Sequence, residues 1–146
     1  MSCQWQLMRR RTPIRAGNWE GVAVSFILQP PEHPFAVRSV SDEAIVVNEQ
    51  RLMTSFFLSP ESLHENWPPR DIDALQPDDL AGPLALNPEV ILLGVGNRQR
   101  FPAAIVMAAC LRRGVGIEVM TNAAAARTFS VLASEGRRVV AAFLLG

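Results

Sequence analysis

The chain contains no lysine and no tyrosine, so every cation is arginine. That bias reflects coding composition and assigns no mechanism. Cysteine is nearly absent: Cys3 and Cys110 are the two present. They cannot build a disulfide framework, and a reducing compartment fits them. The two histidines, His33 and His64, lie far apart, each beside glutamate or proline. No cysteine pair joins them, so a metal centre lacks a ligand set. Formal net charge is zero, and nothing global points to nucleic acid. No apolar run approaches the roughly 18 residues that a membrane span needs. No G-x-S-x-G elbow occurs, which leaves nucleophilic serine catalysis unsupported.

What is present suits one folded domain. Hydrophobic residues make up 49% of the 146 and charged ones 19%, too apolar for a disordered chain. Charge is unevenly spread. Residues 42–89 hold ten acids and two arginines, whereas residues 90–146 hold seven arginines and two acids. This is either loop composition or a polarised surface. Residues 1–20 lack periodicity and carry four arginines, which reads as a disordered basic tail. Residues 21–146 then form a single α/β domain. Arg9-Arg10-Arg11 ahead of an apolar Gly21–Leu28 superficially fits a secretion signal. The run is short, follows Trp19-Glu20 and meets Pro30-Pro31, so no signal peptide is expected and the cytoplasm is.

The most informative stretch is Val90 to Pro102. Val90-Ile91-Leu92-Leu93 lacks polar alternation and predicts a strand buried on both faces. Gly94-Val95-Gly96 makes a turn. Pro102 suits the first position of a helix running to Arg113, with Gly114 as its cap. That helix has almost no polar face and is expected to be largely buried, with Cys110 inside it. Gly116–Met120 is the next strand. Thr121 or Asn122 caps a second helix, Ala123 to Glu135, and Val139–Leu145 is a central strand. The whole is a β-α-β-α-β unit with three neighbouring buried strands. Upstream, Val22–Leu28 could be a strand. Ala44–Val47 and Leu52–Leu58 flank Asn48–Arg51 as a hairpin with a loop of about four residues. Residues 59–88 are proline-rich and acidic, a long connection with one helical turn near Pro77–Leu80.

The glycine turn invites a dinucleotide reading, which fails. Gln99 stands where the third glycine belongs, and Met120-Thr121-Asn122 replaces the acid after the next strand. A looser anion site remains open. Backbone N–H groups near Gly96 and Asn97, with Arg98, Gln99 and Arg100, could receive a carboxylate or phosphate. Alternatively Gly94 and Gly96 permit tight packing while both arginines face solvent. The acidic middle offers these arginines an internal partner. Glu118, in an apolar strand, is either a perturbed acid or the partner of an arginine. Arg127 and Thr128 with Ser130 could line a pocket, or Thr128 could bond back to its own helix. No catalytic residue, metal or cofactor is nominated.

The ordered run Ile91–Gly96, Arg98–Pro102, Gly116–Met120, Ala125, Arg127-Thr128-Phe129 and Glu135–Val139 resembles a bacterial family of unknown function. Its mitochondrial relatives are the NADH dehydrogenase (complex I) assembly factor 3 proteins. The likeness covers about residues 88–145, more loosely 44–58, and not 1–30. It implies an α/β fold of three layers with a mixed β-sheet: a single domain with an N-terminal β-hairpin region and a C-terminal β-α-β-α-β unit. It also implies no established enzymatic activity, and an accessory role through contact with a protein partner. The family often reads Met-Asp-Thr at Met120-Thr121-Asn122. It often has Cys, Tyr and Asn where Ala126, Phe129 and Ser130 stand, which weakens any catalytic role for this helix. The rival expectation is a small-anion or small-ligand binding protein using the corner from Gly94 to Pro102, with Thr121, Asn122 and Glu118 nearby.

Overall fold

The structure is a computed structural model and describes residues 34–146. The expected tail, the strand Val22–Leu28, Cys3 and His33 lie outside the described residues. Two sheets and three α-helices make up this part. The first sheet is antiparallel, in order β1 (Val37–Val40), β2 (Ile45–Val47), β3 (Gln50–Leu52). The second is mixed. Its order is β5 (Leu63–His64), β4 (Phe56–Leu58), β8 (Val139–Phe143), β6 (Val90–Gly94), β7 (Gly116–Met120). A 3-10 turn (Pro77–Leu80) leads into the short α1 (Ala81–Ala85). Helix α2 (Ala104–Leu111) joins β6 to β7, and α3 (Asn122–Ser134) joins β7 to β8. The β-α-β-α-β unit is thus present, with β6 parallel to both β7 and β8.

Strand β8 shows why three layers form. All five of its residues are buried, and successive side chains point to opposite faces. Val140 and Ala142 join one core with Ile91, Leu93, Ile117, Val119, Val106 and Cys110. Val139, Ala141 and Phe143 join another with Leu92, Ala125, Phe129, Ile45, Val47 and Phe56. So α2 covers one face, and α3 with the small sheet covers the other. The long proline-rich connection has a structural use. Trp67, Ile72, Leu75, Leu80 and Leu84 all enter the α2-side core, and Trp67 Nε1 donates to the Asp79 carbonyl at 2.8 Å.

Five expectations need correction. The hairpin turn has two residues, because Val47 pairs with Gln50, and Asn48 adopts φ 55° there. The run Leu52–Leu58 is not one strand. Leu52 closes the small sheet while Phe56–Leu58 pairs with β8. Pro102 precedes the N-cap Ala103, so it is outside the helix rather than at its first position. Strand β7 is an edge strand with one covered face. Ile117 and Val119 are buried, but Glu118 points to solvent. The expected burial of α2 also fails, since Ile105 and Leu111 are 60% and 61% exposed.

The strand ends are tied by a buried amide. Asn122, 4% exposed, donates through Nδ2 to the Leu144 carbonyl at 3.2 Å. Its Oδ1 accepts from Gly96 N–H at 3.2 Å, and its backbone N–H donates to the Gly96 carbonyl at 2.8 Å. Gly94 makes room for it: a Cβ there would collide with Asn122 Oδ1 and approach Phe143 Cδ1 to 3.1 Å. At the opposite end, Glu89 accepts from Arg137 Nε at 2.9 Å and from the Arg138 N–H at 3.3 Å.

Gly94→Ala should cost about 2–4 kcal/mol, an overpacking and lost-bond effect. Asn122→Ala should cost about 1–3 kcal/mol by leaving the Leu144 carbonyl unpaired. Urea unfolding checks both, and wild-type stability for either would remove the amide from its central place. The hydrogen bond from Arg137, then that from Arg138, hold the Glu89 carboxyl below its ordinary pKa. A depressed folded pKa adds stability above the unfolded value, lost as pH falls through the folded one. Glu89→Gln should therefore flatten part of the acid-side decline, read from denaturation between pH 7 and pH 3. Burial pushes the Cys110 thiol up, against a smaller opposing effect of Arg113. A thiol reagent should label it far more slowly in buffer than in urea.

Candidate functional site

The carboxyl ends of the parallel strands, with the loops that follow them, line a cleft of about 370 Å³. Open α/β sheets commonly bind ligands at this end. From the sequence candidates the cleft gathers Gly96, Asn97, Arg100, Thr121 and Asn122. It adds Ser41, Asp42, Arg70 and Asp71, which sequence reading missed. Their signal was the charge of the acidic middle, but nothing local says which of its residues fold back onto the corner.

Most polar groups of this corner are engaged within the chain. Gly96, with φ 106°, gives its N–H to Asn122. Thr121 is the N-cap of α3, and its Oγ1 accepts from Ala124 N–H at 3.2 Å. This favoured cap chemistry relieves one of the unpaired donors of the first helical turn. Arg100 Nη2 meets both Asp73 oxygens at 2.8 and 2.9 Å. The acidic middle thus supplies an internal partner for Arg100 but, among the described residues, none for Arg98, and the pair is exposed. Such pairs contribute about 0–1 kcal/mol.

Gln99 turns out to have a specific task. Gly116 donates to the Glu89 carbonyl and Met120 accepts from Val95, so these residues of β7 face β6. Alternation turns the Val119 carbonyl outward, toward the open edge. Gln99 Nε2 donates to it at 3.0 Å. A side-chain donor on a bare edge carbonyl obstructs pairing with a foreign strand.

The other candidates are not brought to the cleft. Gly94 is buried beneath Asn122. Arg98 is exposed and makes no ion pair among the described residues. Glu118 is likewise exposed without an ion pair, so the expected arginine partner is not there. The reason is its edge position, which lets solvent satisfy the carboxylate. Thr128 Oγ1 donates to the Ala124 carbonyl at 2.9 Å, bonding back to its own helix. Arg127 lines a separate, shallow depression with Arg38, Ser39 and Ser130.

Two further features bear on chemistry. His64 Nε2 lies 3.0 Å from Ser62 Oγ, which lies 2.9 Å from Ser59 Oγ. The His64 ring stacks on Phe57 at 4.7 Å between centroids. Ser59 Oγ also accepts from the Glu61 and Ser62 N–H groups, so this chain of hydroxyls closes the β4–β5 turn. Among the described residues no three His, Cys, Asp or Glu side chains gather as metal ligands. No helix among them is long and apolar enough to cross a membrane.

Known proteins share this arrangement. A Xanthomonas campestris protein solved by NMR is 53% identical, with a TM-score of 0.72 over 82% of this chain and 92% of that one. The bovine NADH dehydrogenase (ubiquinone) 1 alpha subcomplex assembly factor 3 is 26% identical over 137 residues, 92% of this chain and 74% of its own length. The "13 kDa major membrane protein" of Francisella tularensis is 32% identical over 69 residues, 47% of this chain. That match spans 56% of the Francisella protein, so about half its length is compared. Residues 37–144 match the family described as protein of unknown function (DUF498/DUF598), and the chain belongs to that family.

Proposed function

We propose that this chain is an accessory protein of the cytoplasm that acts by contacting another protein. The observation that carries this reading is the similarity to the bovine assembly factor across 92% of the chain. The geometry of the corner supports it. Gly96 N–H is bonded to Asn122, Thr121 Oγ1 accepts from Ala124, Gln99 bonds Val119 and Arg100 meets Asp73, so part of the corner's polar surface is committed within the chain. Cys110 is a free, buried thiol, which suits a reducing compartment.

A second reading rests on the cleft. Its place at the carboxyl ends of the parallel strands, with Arg70 and Arg100 on its wall, fits a small ligand held by Gly96, Asn97, Arg100, Thr121 and Asn122. Gly94, Gln99 and Thr128 are engaged within the chain, and Glu118 and Arg127 face solvent, in either reading.

Affinity purification of the tagged full chain from its own cell, with quantitative mass spectrometry, separates the two. A stoichiometric protein partner is expected. Millimolar phosphate, acetate or citrate should leave the melting temperature unchanged. A dose-dependent rise with one of these anions, and no co-purifying protein, would overturn the first reading in favour of the second. Arg98→Ala with Arg100→Ala should leave stability within about 1 kcal/mol, as exposed sites usually do. The same double variant should recover less of the partner. A much larger loss of stability would make Arg100 and Asp73 a structural pair instead.

A further inference from the structure

Helix α2 is unusual for an outer layer. Its sequence, AIVMAACL, contains no polar side chain beyond a buried thiol. Val106 and Cys110 face the core. At helical spacing, Ala104, Ile105, Ala108 and Leu111 occupy the opposite side, and Phe101 lies in the non-helical segment just before the helix. Phe101 is 70% exposed, beside the exposed Ile105 and Leu111. A helix apolar all round is ordinarily buried all round, and α2 buries one side. Within its own segment the stripe is flanked by cations alone, while the 3-10 turn packed against α2 brings Asp78 and Asp79 to one side. From Val95 to Ile117 there are four arginines, Arg98, Arg100, Arg112 and Arg113, and no acid. Of these only Arg100 makes an ion pair among the described residues.

We propose that the outer face of α2 receives an amphipathic helix of a partner protein. Its apolar stripe lies along Ala104 to Leu111, and its flanking acids meet Arg98, Arg112 and Arg113. This rests on the protein-contact reading above and adds to it the place and the chemistry of the partner. Ala104 and Ala108 are small residues on the same side as Ile105 and Leu111, so the axis of a partner helix can approach to about 8–10 Å. Anchors at this spacing are the usual currency of helix recognition. Charge selects among the occupants. A second copy would bring arginines against arginines, with no acid on the stripe to offset them. An acidic helix cancels the same charges and is steered toward them.

The test places a photo-crosslinking residue at Ile105, Leu111 or Val131 of the full chain in its own cell. Val131 is 56% exposed but belongs to α3, on the other side of the sheet. Positions 105 and 111 should give an adduct with one protein, and position 131 should not. The crosslinked peptide should be an amphipathic helix with acids beside its apolar stripe. Arg112→Glu with Arg113→Glu should lower the adduct yield about ten-fold, since like charges across an interface repel. These side chains are exposed, so melting should change little. If the reversal unfolds the chain, Arg112→Gln with Arg113→Gln replaces it and should lower the yield in the same direction.

Adducts from position 131 alone would overturn this face while leaving the protein-contact reading in place. No protein adduct at any position would overturn both. Adducts only with a second copy or with lipid would overturn the proposed partner. So would a basic crosslinked peptide, or a yield that ignores the arginine changes in a folded chain.

Discussion

The buried carboxamide of Asn122 is the constraint on which the candidate site depends. One side chain bonds the loop after β6 and the chain just beyond β8, and its own backbone begins α3. A buried amide with unmet partners is costly, so each of these segments is fixed relative to the others. The same amide dictates the residue below it. Gly94 has an ordinary backbone, and its value is that it lacks a Cβ where Asn122 Oδ1 lies. Gly96 serves differently, by adopting φ 106° so that its N–H and carbonyl both meet Asn122. The two glycines of one short turn therefore answer two separate demands of a single side chain.

That lock works because the strands it joins are already packed. Alternate residues of β8 feed two cores, and neither core could form without the other layer's contribution. Ser55 adds a second tie near the same end. Its Oγ donates to the Leu145 carbonyl at 3.0 Å and accepts from Leu145 N–H at 2.9 Å, joining the chain before β4 to the chain after β8. Glu89 ties the other end through Arg137 and Arg138. The sheet is thus braced at both ends, but by unequal means. The cleft end uses buried neutral hydrogen bonds, insensitive to salt, and the far end uses partly exposed charge, which salt screens.

Much of the C-terminal half was legible in the sequence because its signals are local. Val90–Leu93 is apolar without alternation, Thr121 is a favoured cap, and the spacing of Ala125 and Phe129 marks an inward stripe. Features set by distant partners were not legible. Nothing near Leu52 shows that it ends one sheet while Phe56 begins another. Glu118 gives no local sign that β7 is an edge strand, because that depends on no further strand among the described residues adding beside it. The position of the Arg100 partner was not foreseen, since Asp73 lies 27 residues upstream, ahead of the 3-10 turn, α1 and β6. The exposure of α2 was misread for a related reason. An apolar helix predicts cover on all sides, and nothing local in the sequence says that Ile105 and Leu111 stay uncovered.

The contrast between the corner and α2 bears on function more than either alone. The corner has the residues of a ligand site, yet several of its polar groups are occupied within the chain: Asn122 takes Gly96, Gln99 takes Val119, and Asp73 takes Arg100. A ligand entering there would have to displace bonds already formed, which offsets part of what it gains. Helix α2 is in the opposite position. Its outer face has no bonds to displace, and its large apolar side chains remain in contact with water. Covering them with a complementary surface removes apolar area from water at no cost in existing interactions. On the proposed reading, association through α2 is the change that recovers the free energy these exposed side chains leave unrealised.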